Sequence, residues 1–331
     1  MITKILKSTT LFKLYTKFRI KQIISRLFTH ESHAFTRSCM DSNPSKNGEN
    51  ARLVAMYHVI EKGLTMPDRR LGFGQPMVLS IINKMSELKN LFGCKAKTNE
   101  YLHSVAVLTE YYQLHKQNNF KLEPQVLSKL ETMITEEGIQ ASSQLSSTAE
   151  SYWRFISADF EKFSNSRHSV RHYGKQPISI DNIKAAIKLA NNAPSACNRQ
   201  PCRVYCISNK EKCSEILRLQ GGNRGFGHLA DKVLILTSDR SLFMYKEPFA
   251  AYVNGGIYLM NLSYSLHFHK IAHCILAWNP EPFKEKLLRN MLPIKESEAI
   301  ICALSCGSLP DDEFLLASSP RKNDSQTFIE I

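Results

Sequence analysis

The sequence predicts an α+β protein: an all-α half over residues 1–150, then a mixed helix-and-strand half over residues 151–331. Three observations carry this reading. Apolar residues recur at helical spacing from Ala51 to about Gly138, and beyond Ser151 helices alternate with short apolar runs,. Between them lies a small, polar, serine-rich run, Gly138-Ile-Gln-Ala-Ser-Ser-Gln-Leu-Ser-Ser-Thr-Ala, which reads as a linker,.

At 331 residues with 43% hydrophobic residues the chain can bury cores for two domains,. It carries 43 basic against 30 acidic residues, and the excess is local. Lys4, Lys7, Lys13, Lys17, Arg19, Lys21 and Arg26 fall in the first 30 residues without one acid. Ile5, Leu6, Leu11, Phe12, Leu14, Ile20, Ile23, Ile24, Leu27 and Phe28 are interspersed, so the segment can form a basic amphipathic helix. Such a helix can lie on an anionic membrane, meet an acidic partner, or simply be solvated. Nucleic-acid binding calls for basic residues interleaved with exposed aromatics across a domain, a pattern this chain lacks.

No run is long and apolar enough for a transmembrane span, and Met1 is not followed by a signal-peptide h-region,. A cytoplasmic protein is expected, with peripheral contact at the inner membrane face as an option. The nine cysteines contain no CxxC pair, which argues against a disulfide framework, a zinc site or an iron–sulfur cluster,. No metal site is predicted.

Within the helical half, Val78, Ile81, Ile82, Met85 and Leu88 form one apolar stripe, and Leu122, Val126, Leu130, Met133 and Ile134 another,. His58 and Glu61 lie three apart on one helical face, fit for a hydrogen-bonded pair but too few ligands for a metal,. In the second half, Ser179 can cap a helix whose face is Ile183, Ala186, Ile187 and Ala190 and which stops before Pro194,. Arg203–Ser208, Val233–Thr237, Ile271–Ala277 and Ala299–Leu304 read as buried strands of one sheet,. A helix from about Asn254 to Lys270 is apolar all round and must be covered all round, by its own domain or by another subunit,.

Three clusters carry candidate chemistry. RHSVRHYGK, residues 167–175, places Arg167, Ser169 and Arg171 where two guanidinium groups and a hydroxyl can converge on one anion, with His168 beside them,. The loop Pro194-Ser195-Ala196-Cys197-Asn198-Arg199-Gln200-Pro201 offers backbone N–H groups and amides that could bond the edge of a heterocycle, although the same residues are ordinary turn chemistry,. Ser318-Ser319-Pro320-Arg321-Lys322 again combines hydroxyls and cations near the C-terminus.

In this order the clusters resemble the nitroreductase family of FMN-dependent flavoproteins. The resemblance covers about residues 155–325 and rests on RHSVRHYG, APSACNRQPCR, NGGIYLMNLSYSLHFHKIAHCILAW, and ALSCGSLP followed by SPRK. It implies a nitroreductase-like α/β sandwich, a mixed, mainly antiparallel sheet flanked by helices, forming a homodimer with two FMN sites at its interface. It further implies that Arg167 and Ser169 contact the phosphate and ribityl chain with His168 adjacent, that Arg171 approaches the N1/O2 side of the ring, and that Arg321, with Ser319, closes on the phosphate. Pro194, Ser195, Ala196 and Asn198, supported by Gln200, would face the flavin of the other subunit. Cys202 replaces an aromatic residue, Asn254 stands where an acid is frequent, and Gly307-Ser308-Leu309-Pro310 loosens a Gly-aromatic-Pro pattern.

The expected activity is NAD(P)H-driven, ping-pong reduction of a small electron-poor acceptor, with the chemistry residing in the flavin and no catalytic side chain required. The absence of a Gly-x-Gly-x-x-Gly element suits transient stacking of the nicotinamide,. Two alternatives stand beside it: an FMN-binding scaffold with little turnover, and a flavin-dependent dehydrogenase. MYHVIEKGLTMPDRRLGFG, residues 56–74, resembles the helical extension of nitroreductase-like proteins associated with bacterial surface-polysaccharide gene clusters.

Overall fold

The computed structural model describes residues 10–39, 46–138, 142–279 and 281–331. Lys4, Ile5, Leu6 and Lys7 of the basic N-terminus lie outside them. From Thr10–Cys39 the chain is one helix, α1, about 45 Å long at the rise of an α-helix,. Its Phe12, Leu14, Tyr15 and Phe18 are exposed, while Phe28 meets Phe249 edge-on with centroids 5.5 Å apart.

Four helices follow: α2 (Lys46–Leu64), α3 (Gln75–Phe92), α4 (Asn99–Gln117) and α5 (Pro124–Glu137). Pro76 and Pro124 fall in first turns, where a missing N–H is not needed, and the Thr98 hydroxyl accepts from Tyr101 N at the start of α4,. The two sequence-derived stripes are the core: Val78, Ile81 and Leu88 meet Val126 and Leu130, closed by Leu53, Ile60, Leu108 and Tyr111. Gly63 lets α2 approach the α2–α3 connection, since a Cβ there would lie 2.2 Å from the Phe73 ring.

The serine-rich run is not loose linker throughout. Gln144–Ser147 form a strand, β1, paired antiparallel with β6 (Phe314–Ala317) in the register Gln144↔Ala317. Its backbone groups find their partner near the far end of the chain, which no local pattern reveals.

The sheet of the second half has the order β2-β3-β5-β4 and is antiparallel throughout: β2 (Cys202–Ile207), β3 (Lys232–Asp239), β4 (Ala272–Ala277) and β5 (Glu298–Gly307). All four predicted strands are present. Side chains alternate across it, as period two requires. Val233 and Ile235 pack toward α9 (Lys210–Gln220) and α11 (Pro282–Met291), whereas Leu234 and Leu236 pack toward α8 (Ile180–Ala190) and α10 (Ala250–Phe268). Both faces of β3 are thus covered, which is why it reads as an unbroken apolar run. Two short helices, α6 (Ala149–Trp153) and α7 (Phe160–Ser166), lead into it. The eight cysteines with described side chains are all free.

Candidate functional site

β4 is an edge strand, and the segment after α7 runs alongside it. Arg167 leaves the helix in an extended conformation, and Val170 N donates to His273 O at 3.0 Å. The Tyr152 hydroxyl clamps the segment, donating to His168 O at 2.8 Å and accepting from His168 N at 3.2 Å. Because Val170 is buried, its neighbours Ser169 and Arg171 are presented on the opposite side of the extended backbone,.

Four polar groups surround one thiol there. Burial pushes the Cys274 thiol up, while Arg171, a hydrogen bond with Ser169, Lys62 and Arg167 all act to lower it. The net upward direction keeps Cys274 a neutral thiol. Arg171 is only 7% exposed, and its Nε has no hydrogen-bond partner among the described residues. An unpaired buried donor costs about 1–3 kcal/mol, so this N–H is poised for an acceptor supplied from elsewhere.

Lys62 comes from α2, in the helical half. Its ammonium is held below the ordinary value, by burial first and by Arg171 second. Sequence reasoning named His58 and Glu61 on the same helix and missed Lys62. The predicted pair does form, His58 Nδ1 lying 2.8 Å from Glu61 Oε2, and His103 completes it from the other side, Nε2 to Oε1 at 2.8 Å.

The C-terminal cluster joins the first. Burial, then Arg167 and Arg321, hold the His168 imidazole below its ordinary value, against a backbone bond at Ala317 that acts the other way. His168 is therefore neutral near physiological pH, and Arg167 and Arg321 are the cations at this end. Ser319 takes a left-handed conformation, φ +46°, and its carbonyl accepts from the Arg321 guanidinium.

The 194–200 loop is built separately, on α10. Cys197, Asn198 and Gln200 have φ of 52°, 54° and 47°, left-handed values that cost roughly 1–3 kcal/mol each unless held in place,. The Ser195 hydroxyl accepts from Gln200 N at 3.0 Å, Gln200 Nε2 donates to Asn198 Oδ1 at 3.0 Å, and Asn254 Oδ1 accepts from Ala196 N at 2.8 Å. Asn254 is itself fixed by donating to Ala250 O. Pro194, Ser195, Gln200, Cys202, Asn254 and Tyr258 line a cavity of about 170 Å³. Arg167, His168, Ser169, Arg171 and Arg321 are thus brought together within the chain. Pro194, Ser195, Ala196, Asn198 and Gln200 form their own group, whose hydrogen bonds among the described residues run within the loop and to α10.

The nitroreductase family's sequence profile matches residues 165–222, which begins two residues before Arg167. The C-terminal half is nitroreductase-like. A Streptococcus pyogenes protein named for NAD(P)H nitroreductase activity is 28% identical over 152 residues, covering 35% of this chain and 75% of its own. An Archaeoglobus fulgidus protein named for NADH dehydrogenase and NAD(P)H nitroreductase activities is 25% identical over 166 residues, covering 49% of this chain and 92% of its own. A Desulfovibrio desulfuricans protein described as a nitroreductase and solved in complex with FMN aligns over 52% of this chain and 95% of its own, at 18% identity and TM-score 0.44. The widest of these matches cover about half of the chain and leave the helical region aside.

Proposed function

We propose that the nitroreductase-like half binds FMN and works as an NAD(P)H-dependent oxidoreductase on a small electron-poor acceptor. The observation that carries this reading is Arg171: a buried guanidinium with an unpaired Nε, beside Ser169 and Arg167 on a sheet edge. The donor set fits the group. Arg167, Ser169 and Arg321 would hold its phosphate and ribityl chain, and Arg171 would bond the electron-rich edge of its ring. When bound, FMN supplies reversible two-electron transfer. Arg171 keeps a positive charge where negative charge gathers on the ring edge, and the buried surroundings strengthen that interaction. His168, held neutral, adds no charge to the phosphate end.

Assembly is part of the same proposal. Val253, Ile257 and Met260 form an exposed stripe on α10, the helix that also carries the 194–200 loop through Asn254. A second copy covering that stripe would receive the loop against its own flavin, and Pro194, Ser195, Ala196, Asn198 and Gln200 would complete the site across the interface. Among the described residues no helix is long and apolar enough to cross a membrane. The exposed aromatics and cations of α1 support peripheral contact with an anionic surface as a further part of the reading. The association with surface-polysaccharide clusters rests on the resemblance of residues 56–74 alone.

The test is the visible absorbance of the purified chain, followed by anaerobic addition of NADH and of NADPH. Yellow protein bleached by either nucleotide is the expected result. Protein that stays colourless after reconstitution with FMN overturns the proposal, and yellow protein that neither nucleotide bleaches favours a flavin-binding scaffold.

A further inference from the structure

A groove of about 620 Å³ lies along the seam between the two halves, within the usual range for small-molecule sites,. One wall is the turn between α2 and α3, with Met66, Asp68, Arg69 and Arg70. The other is the glycine-rich loop after α9, with Gly221, Gly222, Arg224 and Gly225. The walls approach closely because Gly225 has no side chain: φ is +87°, and a Cβ there would come within 3.2 Å of the Met66 sulfur.

Lys62, Arg69, Arg70 and Arg224 line this groove against the single carboxylate of Asp68. Among the described residues none of the four cations makes an ion pair. Other cations of the chain are matched, as Arg203 on β2 is with Glu298 at 2.7 Å and Lys97 with Glu137 at 2.8 Å. Like charges gathered on one concave surface repel and concentrate a positive potential, which favours an anionic guest. Arginine forks suit phosphate oxygens in particular. Lys62 ties the groove to the flavin site proposed above, because it lines the groove and its ammonium also feels Arg171 and Cys274.

We propose that this groove binds the diphosphate of a substrate whose reactive end reaches the flavin site proposed above. The inference rests on the flavin reading for that reactive end, and on the groove alone for the anion. It gives the helical half a role: the turn at residues 66–70 supplies cations that the nitroreductase-like half does not carry. A diphosphate could belong to the electron donor, as in a dinucleotide, or to the acceptor, as in a nucleoside diphosphate conjugate.

The experiment is calorimetric titration of the full FMN-loaded chain with inorganic pyrophosphate, comparing wild type with Arg70→Glu and Arg224→Glu. Both side chains are exposed, so charge reversal leaves the packing intact. Each variant is expected to weaken pyrophosphate by about tenfold or more while FMN retention, read by flavin fluorescence, is unchanged. NADH and a nucleoside diphosphate are then competed against pyrophosphate, and whichever displaces it identifies the source. The inference is overturned if wild type binds no pyrophosphate, if both variants bind it as wild type does, or if neither nucleotide competes. Loss of FMN in step with pyrophosphate also overturns it, since the groove would then hold the flavin's own phosphate. If the chain takes up no FMN yet pyrophosphate binds with the same dependence on Arg70 and Arg224, the flavin reading falls and the anion groove stands.

Discussion

Asn254 Oδ1 accepts the backbone N–H of Ala196 at 2.8 Å, so the central helix α10 holds the strained 194–200 loop through one amide. Asn254 is buried, and its Nδ2 is spent on Ala250 O, which fixes which way the amide faces. Asn254→Ala leaves the half-buried Ala196 N–H without its acceptor, a loss of about 1 kcal/mol,. A lower urea midpoint with weaker FMN retention is expected. Asn254→Asp keeps the acceptor and should recover flavin retention better than Ala does. Equal retention in both variants would show that the loop needs no tether.

Arg171 is expected to behave in the opposite way. Its buried Nε contributes no hydrogen bond to the fold, and its charge opposes that of Lys62. Arg171→Met should therefore cost FMN affinity about tenfold or more, equivalent to about 1.4 kcal/mol, while Tm is unchanged or raised. Equilibrium dialysis of FMN and a thermal melt of the apoprotein decide it. A variant that loses Tm and keeps flavin would assign Arg171 to the fold.

Much of the candidate site was legible because its residues are unusual for their surroundings. RHSVRHYG and SPRK concentrate cations at a segment joining β4 and after β6, and the Val233–Thr237 run announces a strand covered on both faces. What stayed hidden depended on partners distant in sequence. Lys62 looks like any solvated lysine of a helix, and only the fold sets it beside Arg171. Gln144–Ser147 is polar and short, and its pairing with Phe314–Ala317 supplies what its composition lacks. Asn254 was visible as a departure from an acidic residue, yet its hold on Ala196 required the loop's path. The helix itself begins at Ala250, a turn earlier than its apolar run suggested.

Acid should destabilise the chain in two windows that overlap only at their edges. His267 and His273 are fully buried and held neutral, burial lowering them from 6.5 to about 3 and about 4. Below 6.5 the unfolded chain takes up protons that the folded chain refuses, so stability is complete above that value and falls as pH drops to about 4 for His273 and about 3 for His267. Each histidine contributes a slope of up to about 1.4 kcal/mol per pH unit. Glu61 acts lower. Burial alone would raise its carboxyl, but hydrogen bonds from His103 and His58 overcome this and hold it at about 2. Its contribution is present above 4.5 and is lost as pH falls through about 2. Urea midpoints measured across this range should decline in both windows. His267→Gln should make the first shallower, leaving the slope of His273, and spare the second, whereas Glu61→Gln should do the reverse. A single decline untouched by His267→Gln would contradict the assignment.

Val253, Ile257 and Met260, spaced at helical intervals, leave one stripe of α10 open, with Val253 60% exposed. Covering the exposed half of such side chains is worth about 1 kcal/mol each, which over a stripe and its mirror favours two copies coming together. Because Asn254 lies on the same helix, separating the copies should also withdraw the 194–200 loop from the flavin. Ile257→Glu is therefore expected to shift sedimentation from dimer to monomer and to weaken FMN retention together, with far-UV circular dichroism unchanged. A monomeric variant that keeps its flavin would confine the site to Arg167, Ser169, Arg171 and Arg321 of one chain. Wild-type protein that sediments as a monomer would leave the stripe without the second copy that the loop's placement requires.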